Sequence, residues 1–189
     1  MVIADVSGKG IAAALLMAFV RPVVRSALDR SGDPVEALQR TNRILVEERP
    51  TGLFVTVLAG ILDLDTGRFT YANAGHEPPL LVPAGGASPR WIEGGGALIG
   101  AFRDPGLGRC TVDIGPGDRL LLYTDGITDA ANVRHGRFGE ERLAATARGG
   151  DATAGATVQG VIDEVLRFQG EADPADDLAL LVLRRLAGP

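Results

Sequence analysis

The sequence predicts an α+β fold in which sheets are sandwiched between helices on both outer faces, and two observations carry that prediction. Two helical stretches open the chain, a β-rich middle follows, and two more helices precede a last strand. Residues 53–63 are apolar on both faces, so their sheet needs a cover on each side. The early helix pair can supply one cover and a second sheet the other.

Each element has its own signal. Residues 2–5 read as the tail of a strand. From Lys9 to Leu28 the pattern is helical, and the run 11–20 is apolar all round, so this helix is expected to be buried. Pro22 falls inside it and is expected to kink or interrupt it. A second helix is marked by Asp33 as N-cap, Pro34 at the first position and Glu36 three after the cap. Val35, Leu38 and Leu45 form its apolar stripe, and Pro50 is expected to end it.

Strands dominate next. Asp65-Thr66-Gly67 turns the 53–63 strand into one at 68–74. Residues 80–82 continue the sheet, and the glycine- and proline-rich stretch 83–108 reads as a mobile flap-like loop with a short strand at 90–92. Strands at 109–114 and 119–124 flank Gly115-Pro116-Gly117-Asp118. Helices at 139–147 and 153–168 and a strand at 178–184 complete the chain.

Length bounds the answer, because 189 residues suit one domain of the usual roughly 100–200. A net charge of −5 without a basic block argues against nucleic acid and against an anionic membrane as partners. Cys110 is the only cysteine, which excludes an internal disulfide and a thiolate metal cluster. The start lacks the basic region and cleavage site of a secretory signal, and the apolar run 11–20 is too short to span a bilayer. A cytoplasmic location is the expectation.

Three aspartates sit at the ends of very apolar strands. Asp5 follows Val-Ile-Ala, Asp125 follows Leu-Leu-Leu-Tyr-Thr, and Asp176 precedes Leu-Ala-Leu-Leu-Val-Leu by one residue. If the last two strands pair antiparallel, both of their carboxylates emerge at one edge of the sheet. Two unit charges about 4 Å apart repel by roughly 4 kcal/mol at an effective dielectric near 20. A hard divalent cation bound through oxygen turns that penalty into affinity, and Mg²⁺ or Mn²⁺ suits such ligands.

The contexts of these aspartates carry a resemblance. Asp5-Val6-Ser7-Gly8-Lys9-Gly10 leads into an Ala/Leu helix. Tyr71-Ala72-Asn73-Ala74-Gly75-His76-Glu77-Pro78-Pro79-Leu80-Leu81 follows, then Tyr123-Thr124-Asp125-Gly126-Ile127-Thr128-Asp129-Ala130, Phe138-Gly139, and Asp176-Asp177-Leu178-Ala179. In this order the motifs closely resemble the bacterial PPM-type protein phosphatases of the sporulation protein E/RsbU branch, and they cover nearly the whole chain, 1–189, as one domain.

That resemblance implies a four-layer αββα sandwich and hydrolysis of phosphoserine or phosphothreonine by a metal-activated water at a two-metal site. It implies that Asp5 bridges two Mn²⁺ or Mg²⁺ ions, that the Val6 carbonyl contacts one, and that Asp125 and Asp176 hold the other. Asp177 reads as a supporting or turn acid, and Gly126 permits close backbone approach. His76 suits a structural hydrogen bond at least as well as a general-acid role, and Asn73 reads as a polar turn anchor before a site residue. The implied substrate is a phosphorylated anti-sigma factor antagonist in a partner-switching pathway.

The family pattern has one more aspartate, in a Gly-Gly-Asp-x-Tyr strand upstream of the segment matched by Met1. One metal site is therefore expected to be short of a carboxylate, and the sheet to expose an apolar edge. The competing expectation is a catalytically impaired module that binds a phosphoprotein without turning it over. The first helix hangs directly from Asp5 and Val6, so partner binding or homodimerisation through the two early helices is expected to tune metal affinity.

Overall fold

The structure, a computed structural model, describes residues 1–48, 52–149, 153–173 and 176–186. In chain order it contains β1 (Val2–Val6), α1 (Ile11–Ser31), α2 (Pro34–Glu48), β2 (Val55–Leu62), β3 (Arg68–Ala74), β4 (Leu80–Val82), β5 (Arg90–Trp91) and β6 (Cys110–Asp113). Then come β7 (Arg119–Tyr123), α3 (Asp125–Thr128), α4 (Gly139–Ala147), α5 (Ala154–Gln169) and β8 (Leu180–Arg184). Among the described residues, all strand pairing within the two sheets is antiparallel, and each sheet has four strands. The fold is α+β, two antiparallel sheets flanked by helices, as predicted.

The chain forms two units: Met1–His76 with Gly94–Asp113, and Glu77–Glu93 with Ile114–Pro189. In the first unit the sheet order is β1-β2-β3-β6. Side chains alternate across a strand, so the register puts Val6, Val55, Val57, Ala59, Ala72 and Ala74 on one face. That face packs against Leu16, Val20 and Val24 of α1 and Leu38 and Leu45 of α2. Asp5, Thr56 and Asn73 lie on the other face, with Leu58, Phe69 and Tyr71 fully buried beside them.

Asp33 caps α2 as predicted, its Oδ1 accepting the Val35 N–H at 2.9 Å. Pro50, expected to end α2, lies outside the described residues. Two expectations for α1 are corrected. Pro22 does not interrupt the helix, which continues through it for 21 residues, because one missing backbone donor is outweighed by tertiary packing of the flanking residues Val20 and Val24. It is also buried on one face only. Ile11, Leu15 and Phe19, four apart, are 82, 66 and 43% exposed, because an all-apolar run carries no periodicity to say which face is covered.

The full helix passes by length and composition for a membrane span, although 11–20 alone does not. Core helices of soluble proteins meet the same test, and the covered face of α1 belongs to the first unit's core.

The second unit has the sheet order β5-β4-β7-β8. Residues 80–82 therefore do not continue the first sheet as expected, and β4 pairs with β5 and β7 instead. The chain leaves β3 through the turn at 75–79, whose Pro78 and Pro79 lack the N–H groups a continuing ladder needs. Leu80, Val82, Leu121 and Tyr123 face Leu143 and Ala147 of α4 and Val161 and Val165 of α5. The Trp91 Nε1–H donates to the Tyr123 hydroxyl at 2.9 Å.

The 83–108 stretch divides between the two units at Glu93 and Gly94. Its second half joins the first unit through backbone bonds. The Gly96 N–H donates to the Asn73 carbonyl at 2.7 Å, and Val55 and Ile99 exchange N–H···O bonds at 3.0 Å.

Candidate active site

In the first unit, Asp5 sits on β1 directly opposite Thr56 of β2. The Thr56 hydroxyl lies 3.0 Å from Nδ1 of His76. Asn73, at the end of β3, closes the next turn with a reciprocal pair. Its Nδ2 donates to the His76 carbonyl at 2.9 Å, and its Oδ1 accepts the His76 N–H at 2.8 Å. Asp5, Thr56, Asn73 and His76 are thus gathered at one end of the sheet, where β1 and β3 finish and β2 begins. Both Asn73 and His76 are held by bonds that shape the turn, with His76 only 7% exposed.

The strand exit after Asp5 is fixed as well. Ser7 exchanges bonds with Phe54: its N–H donates to the Phe54 carbonyl and its Oγ accepts the Phe54 N–H, both at 2.9 Å. Val6 turns its side chain into the helix-facing core, which leaves its main chain as the part able to serve a ligand.

In the second unit, β7 and β8 pair antiparallel with Tyr123 opposite Leu180. Asp125 leaves the end of β7 as the first residue of α3, and Asp176 and Asp177 lie just ahead of β8. The antiparallel register therefore delivers Asp125 and the Asp176-Asp177 pair to one rim, as the strand argument required. Four hydrogen bonds hold that rim together. The Thr124 N–H donates to the Ala179 carbonyl at 3.1 Å. The Thr124 hydroxyl donates to the Asp177 carbonyl at 3.2 Å and accepts the Ala179 N–H at 3.0 Å. The Asp177 N–H donates to Oδ1 of Asp176 at 2.9 Å.

Glu77 and Thr124 were not singled out by sequence reasoning. Burial, then the negative charges of Asp125, Glu140 and Asp129, push the Glu77 carboxyl above its ordinary range. The signals were present, since Glu77 follows His76 and Thr124 precedes Asp125, but neither residue type announces such a role. Asp129 itself pairs with Arg137 at 2.8 Å.

Among the described residues, no three histidine, cysteine, aspartate or glutamate side chains are grouped to hold a metal ion. The second unit offers two carboxylates at one rim, which suits in kind a Mg²⁺ or Mn²⁺ ion, because these hard cations take one or two carboxylates and keep several waters. Asp5 belongs to the first unit.

Comparison with known proteins places this geometry. The family described as Stage II sporulation protein E (SpoIIE) matches residues 1–186. Phosphoserine phosphatase RsbU of Bacillus subtilis is 28% identical over 97% of this chain, and the match covers 54% of RsbU. The RsbU and RsbW domains of Rv1364c from Mycobacterium tuberculosis give a TM-score of 0.82 at 31% identity, covering all of this chain and 53% of that one. The SiaA-PP2C domain of Pseudomonas aeruginosa gives 0.81 at 23% identity, over 97% of this chain and 73% of that one. The chain spans about half the length of RsbU. Antiparallel sheets, their flanking helices and the matched length together show that this chain belongs to the SpoIIE family and has the fold of its PP2C/PPM-type phosphatase domains.

Proposed function

We propose that this chain is a metal-dependent protein phosphatase that hydrolyses phosphoserine or phosphothreonine on a partner protein. The observation that carries the reading is the single rim shared by Asp125 and Asp176 in a SpoIIE-family domain. In this reading Asp5, the Val6 carbonyl, Asp125 and Asp176 hold two Mn²⁺ or Mg²⁺ ions, and Gly126 keeps the approach open. When bound, such ions neutralise phosphoryl charge and supply an activated water.

The chain's own residues then have defined work. Asp125 and Asp176 present paired oxygen donors on a rim tied by Thr124. Asn73 and His76 keep the strand end beside Asp5 in shape. Phosphate monoesters are among the slowest substrates to hydrolyse unaided, so charge stabilisation is the main requirement. The substrate we propose is a phosphorylated anti-sigma factor antagonist, in a cytoplasmic partner-switching pathway; the name of the relative RsbU, a phosphoserine phosphatase, supports the phosphoserine part of that reading.

The test is turnover of para-nitrophenyl phosphate with Mn²⁺ by the full chain and by Asp125→Asn. Turnover that disappears in the variant supports the enzyme. A folded wild-type chain without turnover favours the second reading, a regulatory module that binds a phosphoprotein without hydrolysing it.

Homodimerisation through α1 and α2 is part of the proposal, supported by the exposed row Ile11, Leu15 and Phe19. Leu16 faces the core, so Leu15→Arg is the informative substitution. Sedimentation should show a dimer that this change dissociates; unchanged association would remove the dimer from the proposal.

A further inference from the structure

We infer that Thr124 is a positioning residue whose hydroxyl sets the spacing between Asp125 and Asp176; the inference rests on the metal-dependent reading above. The argument begins with the hydrogen-bond ladder between β7 and the segment ahead of β8. In an antiparallel pair, opposite residues of a hydrogen-bonded pair exchange both of their N–H···O bonds. Thr124 keeps one of these, donating its N–H to the Ala179 carbonyl at 3.1 Å. The return bond is different. The Ala179 N–H donates to the Thr124 side-chain oxygen at 3.0 Å.

The Thr124 carbonyl is thereby released from the ladder and accepts the Ile127 N–H at 3.1 Å, which opens α3. One residue is in effect both the last rung of the sheet and the cap of the helix turn that carries Asp125. The same hydroxyl donates its proton to the Asp177 carbonyl at 3.2 Å. Asp177 in turn donates its N–H to the Asp176 carboxylate at 2.9 Å. A chain of three hydrogen bonds therefore runs from the Ala179 amide through Thr124 and Asp177 to Oδ1 of Asp176.

The hydroxyl lets β7 turn into α3 while the turn stays tied to the Asp176 segment. An isosteric valine fills the space but can neither accept from Ala179 nor donate to Asp177. The Ala179 N–H must then recapture the Thr124 carbonyl, which unwinds the start of α3, or the 176–179 segment must move away. Either outcome separates Asp125 from Asp176. Serine keeps the oxygen and its proton, so it preserves the arrangement.

The experiment measures Mn²⁺ affinity from the electron paramagnetic resonance of free Mn²⁺, using the full chain as wild type, Thr124→Val, Thr124→Ser and Thr157→Val. Thr157 is the control, a buried hydroxyl on α5 that accepts from Arg119 at 2.8 Å in the same unit. Loss of a group that orients metal ligands typically weakens affinity by about 10–100-fold, so Thr124→Val is expected to bind at least tenfold more weakly. Thr124→Ser and Thr157→Val are expected to match the wild type.

Wild-type affinity in Thr124→Val would overturn the inference and leave the phosphatase reading intact. So would an equal loss in Thr157→Val, since that would trace the effect to general destabilisation. A folded wild type that binds no Mn²⁺ would overturn both together. Trp91 fluorescence reports whether each variant is folded. Should Thr124→Val not fold, amide exchange at Ala179 in the wild type decides: it is expected to slow at saturating Mn²⁺, and unchanged exchange overturns the inference.

Discussion

A β-carbon placed on Gly126 would lie 2.2 Å from the carbonyl oxygen of Asp177. The α3 turn and the segment ahead of β8 thus meet backbone to backbone, an approach that only a residue without a side chain permits. No rotamer relieves a clash with a main-chain atom, so Gly126→Ala must push the two segments apart. Forced overpacking costs about 1–3 kcal/mol, which lowers the melting temperature by about 2–4 °C for each kcal/mol in a chain of this size. Gly160→Ala, in the middle of α5 with open space around it, should instead stabilise by up to about 1 kcal/mol. Thermal melts of the two variants check the contrast. If Gly126→Ala melts with the wild type, the close approach is not what holds this rim.

A second glycine has a different job. Gly60 lies on β2 opposite Tyr71 of β3, and an added β-carbon would sit 2.4 Å from Cε2 and Cζ of Phe69 and 2.8 Å from Cβ of Tyr71. The two aromatic rings stack with centroids 5.4 Å apart across the space that Gly60 leaves open. Gly60→Ala should therefore cost about 1–3 kcal/mol by overpacking while leaving Trp91, in the other unit, in its native environment before unfolding. Denaturant melts followed by circular dichroism would measure the loss; a shift within error of zero would show that the rings simply slide.

How much of this was legible in the sequence depends on the kind of signal. Strands such as 68–74, 80–82 and 119–123 stood out because alternating or continuous apolar runs ended at glycine, proline and aspartate turns. That Asp125 and Asp176 lie at the same end of the β7–β8 pair followed from antiparallel pairing, which the sequence posed as a condition and the register meets. The exposed face of α1 was illegible because its first ten residues are uniformly apolar, and burial there is decided by what the sheet covers. The joint role of Thr124 was hidden for another reason. A threonine before an aspartate is common, and only the ladder to Ala179 shows which of its atoms take part.

Glu77 makes the acidity of the second unit measurable. Burial and the charges of Asp125, Glu140 and Asp129 raise its carboxyl above the ordinary value of 4.5, so the folded state holds the proton more tightly than the unfolded one. The sign follows from linkage: Glu77 favours folding below its unfolded value, and that contribution is lost as pH rises through the raised folded value. Glu77→Gln should melt close to the wild type at acidic pH and above it near neutrality. Melting curves for both proteins across that range would settle it, and parallel curves would show that Glu77 titrates alike in both states.

Asp33 tests the opposite sign. Burial opposes its ionisation, but the Val35 N–H, the Arg109 guanidinium and the Glu36 backbone outweigh it and hold the carboxyl below the ordinary aspartate value of 3.8. Its contribution to stability is then complete above that value and is lost as pH falls towards the depressed folded one. Two substitutions separate its two roles. Asp33→Asn keeps a good N-cap for α2 but gives up the charge facing Arg109, whereas Asp33→Ala gives up both. The cap is worth about 1 kcal/mol, and the exposed side of the ion pair makes its share smaller. Asp33→Ala should therefore be clearly less stable than the wild type at pH 7, with Asp33→Asn close to it, and both should lose Asp33's share of the wild type's dependence on pH below about 4. An asparagine variant as unstable as the alanine one would mean that the charge on Arg109, rather than the cap on Val35, anchors the start of α2.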